Sequence, residues 1–197
     1  MEQRTKDDIR CEMRDRRREV SEERRRYTAR KIAVELVRGR IRLAERALRV
    51  GIYLSTKHEL PTHHIARALW EAGRGVCVPA WDSMLVRYQL CELLPAMPLV
   101  PGMYGIREPV EQLPVAAWDV DAFVLPGLAF DMRGGRLGYG KGIYDGVLAE
   151  ANPSATKIGI CYDWQILDEP LPLEPHDRRV DWVVSDKRVI HCKGATA

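Results

Sequence analysis

The sequence lacks an apolar run of membrane-spanning length, and its first residues do not support secretion. None of its apolar runs approaches the roughly 18 residues that a spanning helix requires. Met1–Asp8 is polar and charged where a signal peptide would carry a hydrophobic core, so a cytoplasmic location is expected. Cysteine is scarce: Cys11, Cys77, Cys91, Cys161 and Cys192 are an odd number, and no two form a C-x-x-C pair. That argues against a disulfide framework or a zinc knuckle, and free thiols in a reducing compartment are expected instead. The histidines His58, His63, His64, His176 and His191 make no H-x-x-x-H or H-x-x-E-H pattern and receive no role. No stretch rich in Pro, Gly or Ser interrupts the 197 residues, and no internal repeat or low-complexity tract is present. One domain over residues 1–197 is therefore expected.

What is present is an ordinary globular composition, 46% hydrophobic and 30% charged, with a net charge of +3. The charge is unevenly placed. Lys and Arg outnumber Asp and Glu over the first fifty residues, and the remainder is mildly acidic. A basic segment raises nucleic acid as a partner. Here, however, cations and acids recur at helical spacing, as in Glu12/Arg16, Asp15/Arg18 and Glu22/Arg26, and aromatics do not alternate with the arginines. The pattern reads as a solvated helix face, with attraction for polyanions such as ATP or polyglutamyl tails as an accessory effect.

Along the chain, residues 5–19 suit a first helix with Ile9 and Met13 on one side. Ser21 followed by Glu22 and Glu23 predicts the start of a second, running towards Arg38. Val50–Ser55 is an almost wholly apolar strand, as expected where both faces are covered. Thr62 is expected to cap a helix carrying Ile65, Ala66, Leu69 and Trp70 and ending at Gly73, and Val76–Pro79 reads as the next strand. Further strands are expected at Phe123–Leu125, Lys157–Cys161 and Trp182–Val184. Val86–Leu90 suggests an edge strand, and Cys91–Met103, with three prolines, reads as loop. Alternation of this kind predicts an α/β fold, a single-domain layered sandwich with a central, largely parallel, Rossmann-like sheet.

The most informative stretch is Arg136-Leu-Gly-Tyr-Gly-Lys-Gly-Ile-Tyr-Asp145. Gly138, Gly140 and Gly142 would let several main-chain N–H groups turn towards one point, since glycine tolerates positive φ and has no Cβ in the way. Lys141 and Arg136 add positive charge, and Asp145 is placed to hold a divalent cation against the same oligophosphate. A Gly-rich turn entering a helix is the alternative. The stretch is not a Walker A motif, because no Ser or Thr follows a lysine at the required spacing. Nor does it suit a dinucleotide fingerprint, which opens a βαβ unit with an acid about 20 positions on. Ala122–Pro126 reads as a strand, Gly127–Asp131 as its exit loop and Ile143–Glu150 as a helix. The Gly loop then lies between a strand's carboxyl end and a helix N-terminus, where open α/β sheets bind anions.

Leu125-Pro-Gly-Leu-Ala-Phe-Asp131 followed by Gly135–Asp145 resembles the signature of the 5-formyltetrahydrofolate cyclo-ligase family. Lys6-x-x-x-Arg10, Tyr53-Leu-Ser55 with Glu59, Gly105–Pro109, Pro175-His-Asp177 and Val180-Asp181 follow the same family's order. The resemblance implies ATP-dependent closure of 5-formyltetrahydrofolate to 5,10-methenyltetrahydrofolate, with ADP and phosphate released. A formamide oxygen is a poor leaving group, and phosphoryl transfer onto it lets N10 attack the formyl carbon. Such an enzyme mainly positions its reactants and neutralises phosphoryl charge.

By the same resemblance, ATP would be held by Lys6, Arg10, Arg136, Leu137, Gly138, Tyr139, Gly140, Lys141, Gly142, Ile143 and Tyr144, with Lys141 and Arg136 as the catalytic charge partners. The folate would meet Leu54, Glu59, Tyr139, Gly140, Lys141, Gly142 and Ile143, and Mg2+ would lie between Asp145 and Asp177. A carboxylate suits a pterin because the ring N–H and amino group present two donors side by side. On local sequence alone Glu59 is an exposed loop residue, Asp177 a turn cap, and Lys6 and Arg10 surface charges. Family members often place an aromatic where Ile143 stands, which implies weaker substrate binding here with the chemistry kept. Alternatives are a non-catalytic nucleotide- or folate-binding member of the family, a basic nucleic-acid-binding protein, and a sugar-phosphate isomerase or acyl-transfer enzyme on a similar scaffold.

Overall fold

Each of the first two helices begins where a side chain satisfies its free N–H groups. In the computed structural model, which describes residues 4–174 and 177–192, α1 (Lys6–Arg18) opens at Thr5. Asp8 N donates to the Thr5 hydroxyl at 3.2 Å and Thr5 N returns a bond to Asp8 Oδ2 at 3.0 Å, a reciprocal capping box. α2 (Glu22–Arg38) starts from Ser21, whose hydroxyl accepts from Arg24 N. The ion pairs Glu12–Arg16, Asp15–Arg18 and Glu22–Arg26 form on the faces of these helices. α3 (Leu43–Arg46), α4 (His63–Glu71) and α5 (Ile143–Ala149) complete the set. Thr62 precedes α4 but does not cap it. Its backbone is already helical, and its hydroxyl donates instead to the Tyr53 carbonyl at 2.5 Å. Pro175 and His176, from the motif read above, lie outside the described residues.

Strands β1 (Arg49–Ile52), β2 (Gly75–Asp82), β3 (Arg87–Glu92), β4 (Leu99–Pro101), β5 (Arg107–Pro109) and β6 (Pro114–Val115) occupy the first half. β7 (Ala122–Leu125), β8 (Ala129–Asp131), β9 (Arg136–Leu137), β10 (Thr156–Ile160), β11 (Ile166–Leu167), β12 (Trp182–Val184) and β13 (Val189–His191) follow. The main sheet runs β13-β12-β10-β7-β1-β2-β3-β6, parallel from β12 to β2 and antiparallel at both flanks. This is the mixed α/β architecture with a largely parallel centre that the alternation predicts.

Both faces of that centre are covered. Ala122 and Val124 of β7 join α2 and α4 residues such as Ile32, Leu36, Ile65 and Leu69 in one apolar cluster. Phe123 and Leu125 point the other way, into a second cluster with Val147 and Leu148 of α5 and with Phe130. The two-residue period of the strand therefore feeds two cores, which explains why it reads as a continuous apolar run. A third, smaller cluster seats Ile9 and Met13 of α1 against Leu128, Ala129, Leu137 and Leu171.

Three readings of short elements are corrected. Gly127–Asp131 is not a plain exit loop, because β8 pairs antiparallel with β9 (Ala129 opposite Leu137) and in parallel with β11. The β8–β9 turn is fixed by Asp131, whose Oδ1 accepts from Arg133 N and Gly135 N, both at 2.8 Å. Cys91–Met103 is not all loop, since its Leu99–Pro101 pairs with β5. The strand expected at Val86–Leu90 is β3, and it lies between β2 and β6 rather than at the edge.

Candidate active site

The strand order reverses between β1 and β7, and the segments leaving their carboxyl ends part there to leave a crevice. Tyr53 and Leu54 follow β1, Pro126 follows β7, and both segments line a cavity of about 640 Å³. Its wall continues along the loop from β9 into α5, residues Arg136 to Asp145, and along the face of α1 that carries Lys6 and Arg10. Every site residue read from the sequence meets there: Lys6, Arg10, Leu54, Glu59, Arg136, Leu137, Gly138, Tyr139, Gly140, Lys141, Gly142, Ile143, Tyr144, Asp145 and Asp177. Four cations (Lys6, Arg10, Arg136, Lys141) face four carboxylates (Glu59, Asp145, Glu174, Asp177) around the same space.

The Gly loop departs from expectation at one position. Gly140 and Gly142 take φ of +83° and +68°, the left-handed region where a side chain is strained, but Gly138 is not among the positive-φ glycines. Arg10 Nε donates to the Gly138 carbonyl at 3.1 Å, so the first helix holds the loop from outside. Arg136 lies in β9 with its side chain buried. Its Nη2 donates to Asp145 Oδ1 at 2.7 Å, and its Nε is buried with no hydrogen-bond partner among the described residues. Lys6 Nζ donates to Asp177 Oδ2 at 2.8 Å and to Glu174 Oε1 at 2.9 Å. Partial burial works to lower the Lys6 ammonium, but the hydrogen bonds to Asp177 and Glu174 outweigh it and raise the pKa.

Glu59 is not the exposed loop carboxylate that its local sequence suggests. It is 6% exposed, and its Oε2 accepts from Thr56 N at 2.8 Å and from the Thr56 hydroxyl at 2.9 Å. Burial pushes the phenols of Tyr53, Tyr144 and Tyr139 upward, so all three stay protonated at neutral pH. Tyr53 donates its proton to the Leu60 carbonyl at 2.9 Å.

Several lining residues escape the sequence reading. Tyr104 sits at φ +57° in a short turn, and Lys141 Nζ stands 4.7 Å from its ring centroid, a cation–π contact. Tyr104, Pro79 and Thr56 line the cavity, as does Ile106 of the Gly105–Pro109 segment read above, and Glu174 joins Asp177 beside Lys6. Nothing in the spacing of Tyr104 marks it, because an isolated aromatic among prolines carries no periodic signal.

The residues fit a nucleotide with its metal. The unpartnered Arg136 Nε is a donor without an acceptor, and Arg136 also lines the cavity where Asp145 and Asp177 meet. No cluster of three or more His, Cys, Asp or Glu that would cage an ion by itself occurs among the described residues. Two carboxylates with hard oxygen donors are what magnesium takes when phosphate oxygens and water complete its shell. No helix of the described residues is long and apolar enough to cross a membrane.

Known proteins resemble this chain in sequence and fold. The model of the 5-formyltetrahydrofolate cyclo-ligase family matches residues 2–186. A probable 5-formyltetrahydrofolate cyclo-ligase of Schizosaccharomyces pombe is 27% identical over 74% of this chain and 78% of its own length. The 5-formyltetrahydrofolate cyclo-ligase of Escherichia coli K12 is 32% identical over 71% of this chain and 79% of its own. The NMR structure of Aquifex aeolicus 5,10-methenyltetrahydrofolate synthetase superposes with a TM-score of 0.82 at 30% identity, covering 98% of this chain and 95% of that one. With a matched signature, a shared fold and the expected side chains gathered on one cavity, the chain belongs to the 5-formyltetrahydrofolate cyclo-ligase family.

Proposed function

We propose that this chain converts 5-formyltetrahydrofolate to 5,10-methenyltetrahydrofolate at the expense of ATP, releasing ADP and phosphate, in the cavity between α1, the segment after β1 and the Gly loop. The observation that carries the reading is the convergence of four cations and the Gly loop with a buried, oriented carboxylate on one space. In this reading the main-chain N–H groups near Gly140 and Gly142, with Lys6, Arg10 and Arg136, hold the phosphates. Lys141 neutralises charge on the transferring phosphoryl group, turning from the Tyr104 ring to do so. Glu59 accepts the paired donors of the pterin, held in place by Thr56, and Leu54 and Ile143 supply apolar wall. Asp145 and Asp177 would hold magnesium, which when bound neutralises phosphate charge. Catalysis then consists of alignment and charge stabilisation, with no covalent role for the protein.

A cytoplasmic location suits the thiols. Burial raises Cys77 to about 12 and Cys91 to about 11, so both stay protonated and weakly nucleophilic at neutral pH. A nucleic-acid role gains less support, because Arg16, Arg18 and Arg26 each face a carboxylate on their own helix. The deciding measurement is ADP release that depends on 5-formyltetrahydrofolate, with methenyl product formed in step. Lys141→Ala is expected to lower turnover by about 100-fold or more, the usual loss on removing a transition-state charge partner. ADP release indifferent to the folate, or unchanged by Lys141→Ala, would contradict the reading.

A further inference from the structure

Ile9, Met13 and Arg17 recur at four-residue spacing along the buried face of α1, so an arginine occupies a place in an apolar stripe. Arg17 is 4% exposed, and it does not line the 640 Å³ cavity. A buried guanidinium carries five donors that need acceptors. Arg17 finds them on two loops beside the cavity. Its Nε donates to the His58 carbonyl at 3.0 Å, its Nη1 to the Gly127 carbonyl at 3.4 Å, and its Nη2 lies 3.9 Å from Glu59 Oε1. The guanidinium carbon is also 5.7 Å from the Tyr139 ring centroid. Glu59 therefore has a partner at each oxygen: Thr56 hydrogen-bonds Oε2, and the Arg17 guanidinium stands at ion-pair distance from Oε1.

We infer that Arg17 is a positioning residue for the folate half of the reaction, supplying the counter-charge and the fixed direction of Glu59 from behind the cavity wall. This rests on the reading of Glu59 as the pterin anchor. Two features separate such a role from mere packing. The planar fork reaches the backbone of residue 58 and the carboxylate of residue 59 together, which a lysine cannot do. The contacts to Gly127 and Tyr139 also place the segment after β1 in register with the segment after β7 and with the Gly loop. Burial raises the Tyr139 phenol and the positive charge of Arg17 opposes that rise, so the guanidinium is felt at the loop as well.

The test is a double-mutant cycle between Arg17→Met and Glu59→Gln, read by calorimetric binding of 5-formyltetrahydrofolate and separately of ATP. Arg17→Met is expected to weaken folate binding by about tenfold or more, with ATP binding changed less than about threefold. In the Glu59→Gln background the same substitution is expected to add less than about twofold. Thermal unfolding verifies that each variant is folded. Should Arg17→Met fail to fold, Arg17→Lys replaces it in the same cycle, with a smaller loss expected that is still confined to folate and still absent in Glu59→Gln, because lysine keeps the charge and loses the fork. Equal weakening of both ligands, or a folate effect that persists undiminished in Glu59→Gln, overturns the role. Glu59→Gln binding folate as tightly as the parent would remove the reading of Glu59 itself; Glu59→Gln impaired beside an unimpaired Arg17→Met would remove only the assignment of Arg17.

Discussion

Gly138, Gly140 and Gly142 are spaced alike in the sequence, yet the backbone treats them differently. Gly142 sits at φ +68° with no atom within 4 Å of where a Cβ would stand, so a side chain there meets only conformational strain. Gly142→Ala is expected to lower the unfolding free energy by about 1–2 kcal/mol. Gly138 has no positive φ, and its added Cβ would meet Arg136 Nη1 at 3.3 Å, so Gly138→Ala avoids that penalty and disturbs the buried arginine instead. Urea denaturation of the two variants checks the contrast, and equal losses would refute it. The same scale shows what a sequence conceals. Glycine alternation announces a loop but not which residue carries the left-handed turn. Glu59 looks like a solvated loop acid because its partners, Thr56 and the distant Arg17, become neighbours only on folding. Arg17 itself leaves a trace, a cation in phase with Ile9 and Met13, but the trace says buried and not what it touches.

Long elements are legible because they repeat a pattern, and short ones are not. α2 begins at the predicted Ser21 and ends at Arg38, since a cap and an apolar stripe each mark it. β4, β8 and β9 have two or three residues each, too few for any alternation to register, and their pairing comes from tertiary contacts. α4 adds a case in which the element sets a titration. His63 and His64 occupy its first turn with rings 3.9 Å apart, at the positive end of the helix. Burial, then His63, Arg30, Arg67 and Arg26, lower His64 from 6.5 to about 4. The unfolded chain therefore binds a proton that the folded chain refuses between these values. The contribution of His64 to stability is complete above about pH 6.5 and is lost as the pH falls towards about 4. The melting temperature is expected to fall over that window, and to fall less steeply in His64→Gln. Parallel curves for the two proteins would show that His64 does not contribute.

At the scale of the whole molecule, the cavity joins segments that are far apart in the chain, and its charges are already matched before any ligand arrives. Asp145 is engaged by Arg136 at 2.7 Å and Asp177 by Lys6 at 2.8 Å, so each carboxylate proposed for the metal is held by a cation proposed for the phosphates. ATP alone would draw the cations away and leave two carboxylates beside its own negative charge. Magnesium alone would draw the carboxylates and leave two cations facing it. Both together let the ions exchange partners, so that the phosphates meet the cations and magnesium meets the carboxylates. Nucleotide affinity should therefore depend on magnesium by about tenfold or more, about 1.4 kcal/mol of coupling, and the coupling is reciprocal. Removing the carboxylates separates this from the ordinary chelation of magnesium by ATP. In a protein carrying Asp145→Asn and Asp177→Asn, ATP binding in the presence of a chelator is expected to tighten, because Arg136 is released from Asp145 and Lys6 keeps only Glu174. With excess magnesium it is expected to weaken, because the ion has lost its protein ligands. Calorimetry under the two conditions gives the ratio of affinities directly. A double variant that keeps the parent's ratio would mean that the ion pairs seen around the cavity do not exchange, and that Asp145 and Asp177 serve only to hold Arg136 and Lys6 in place.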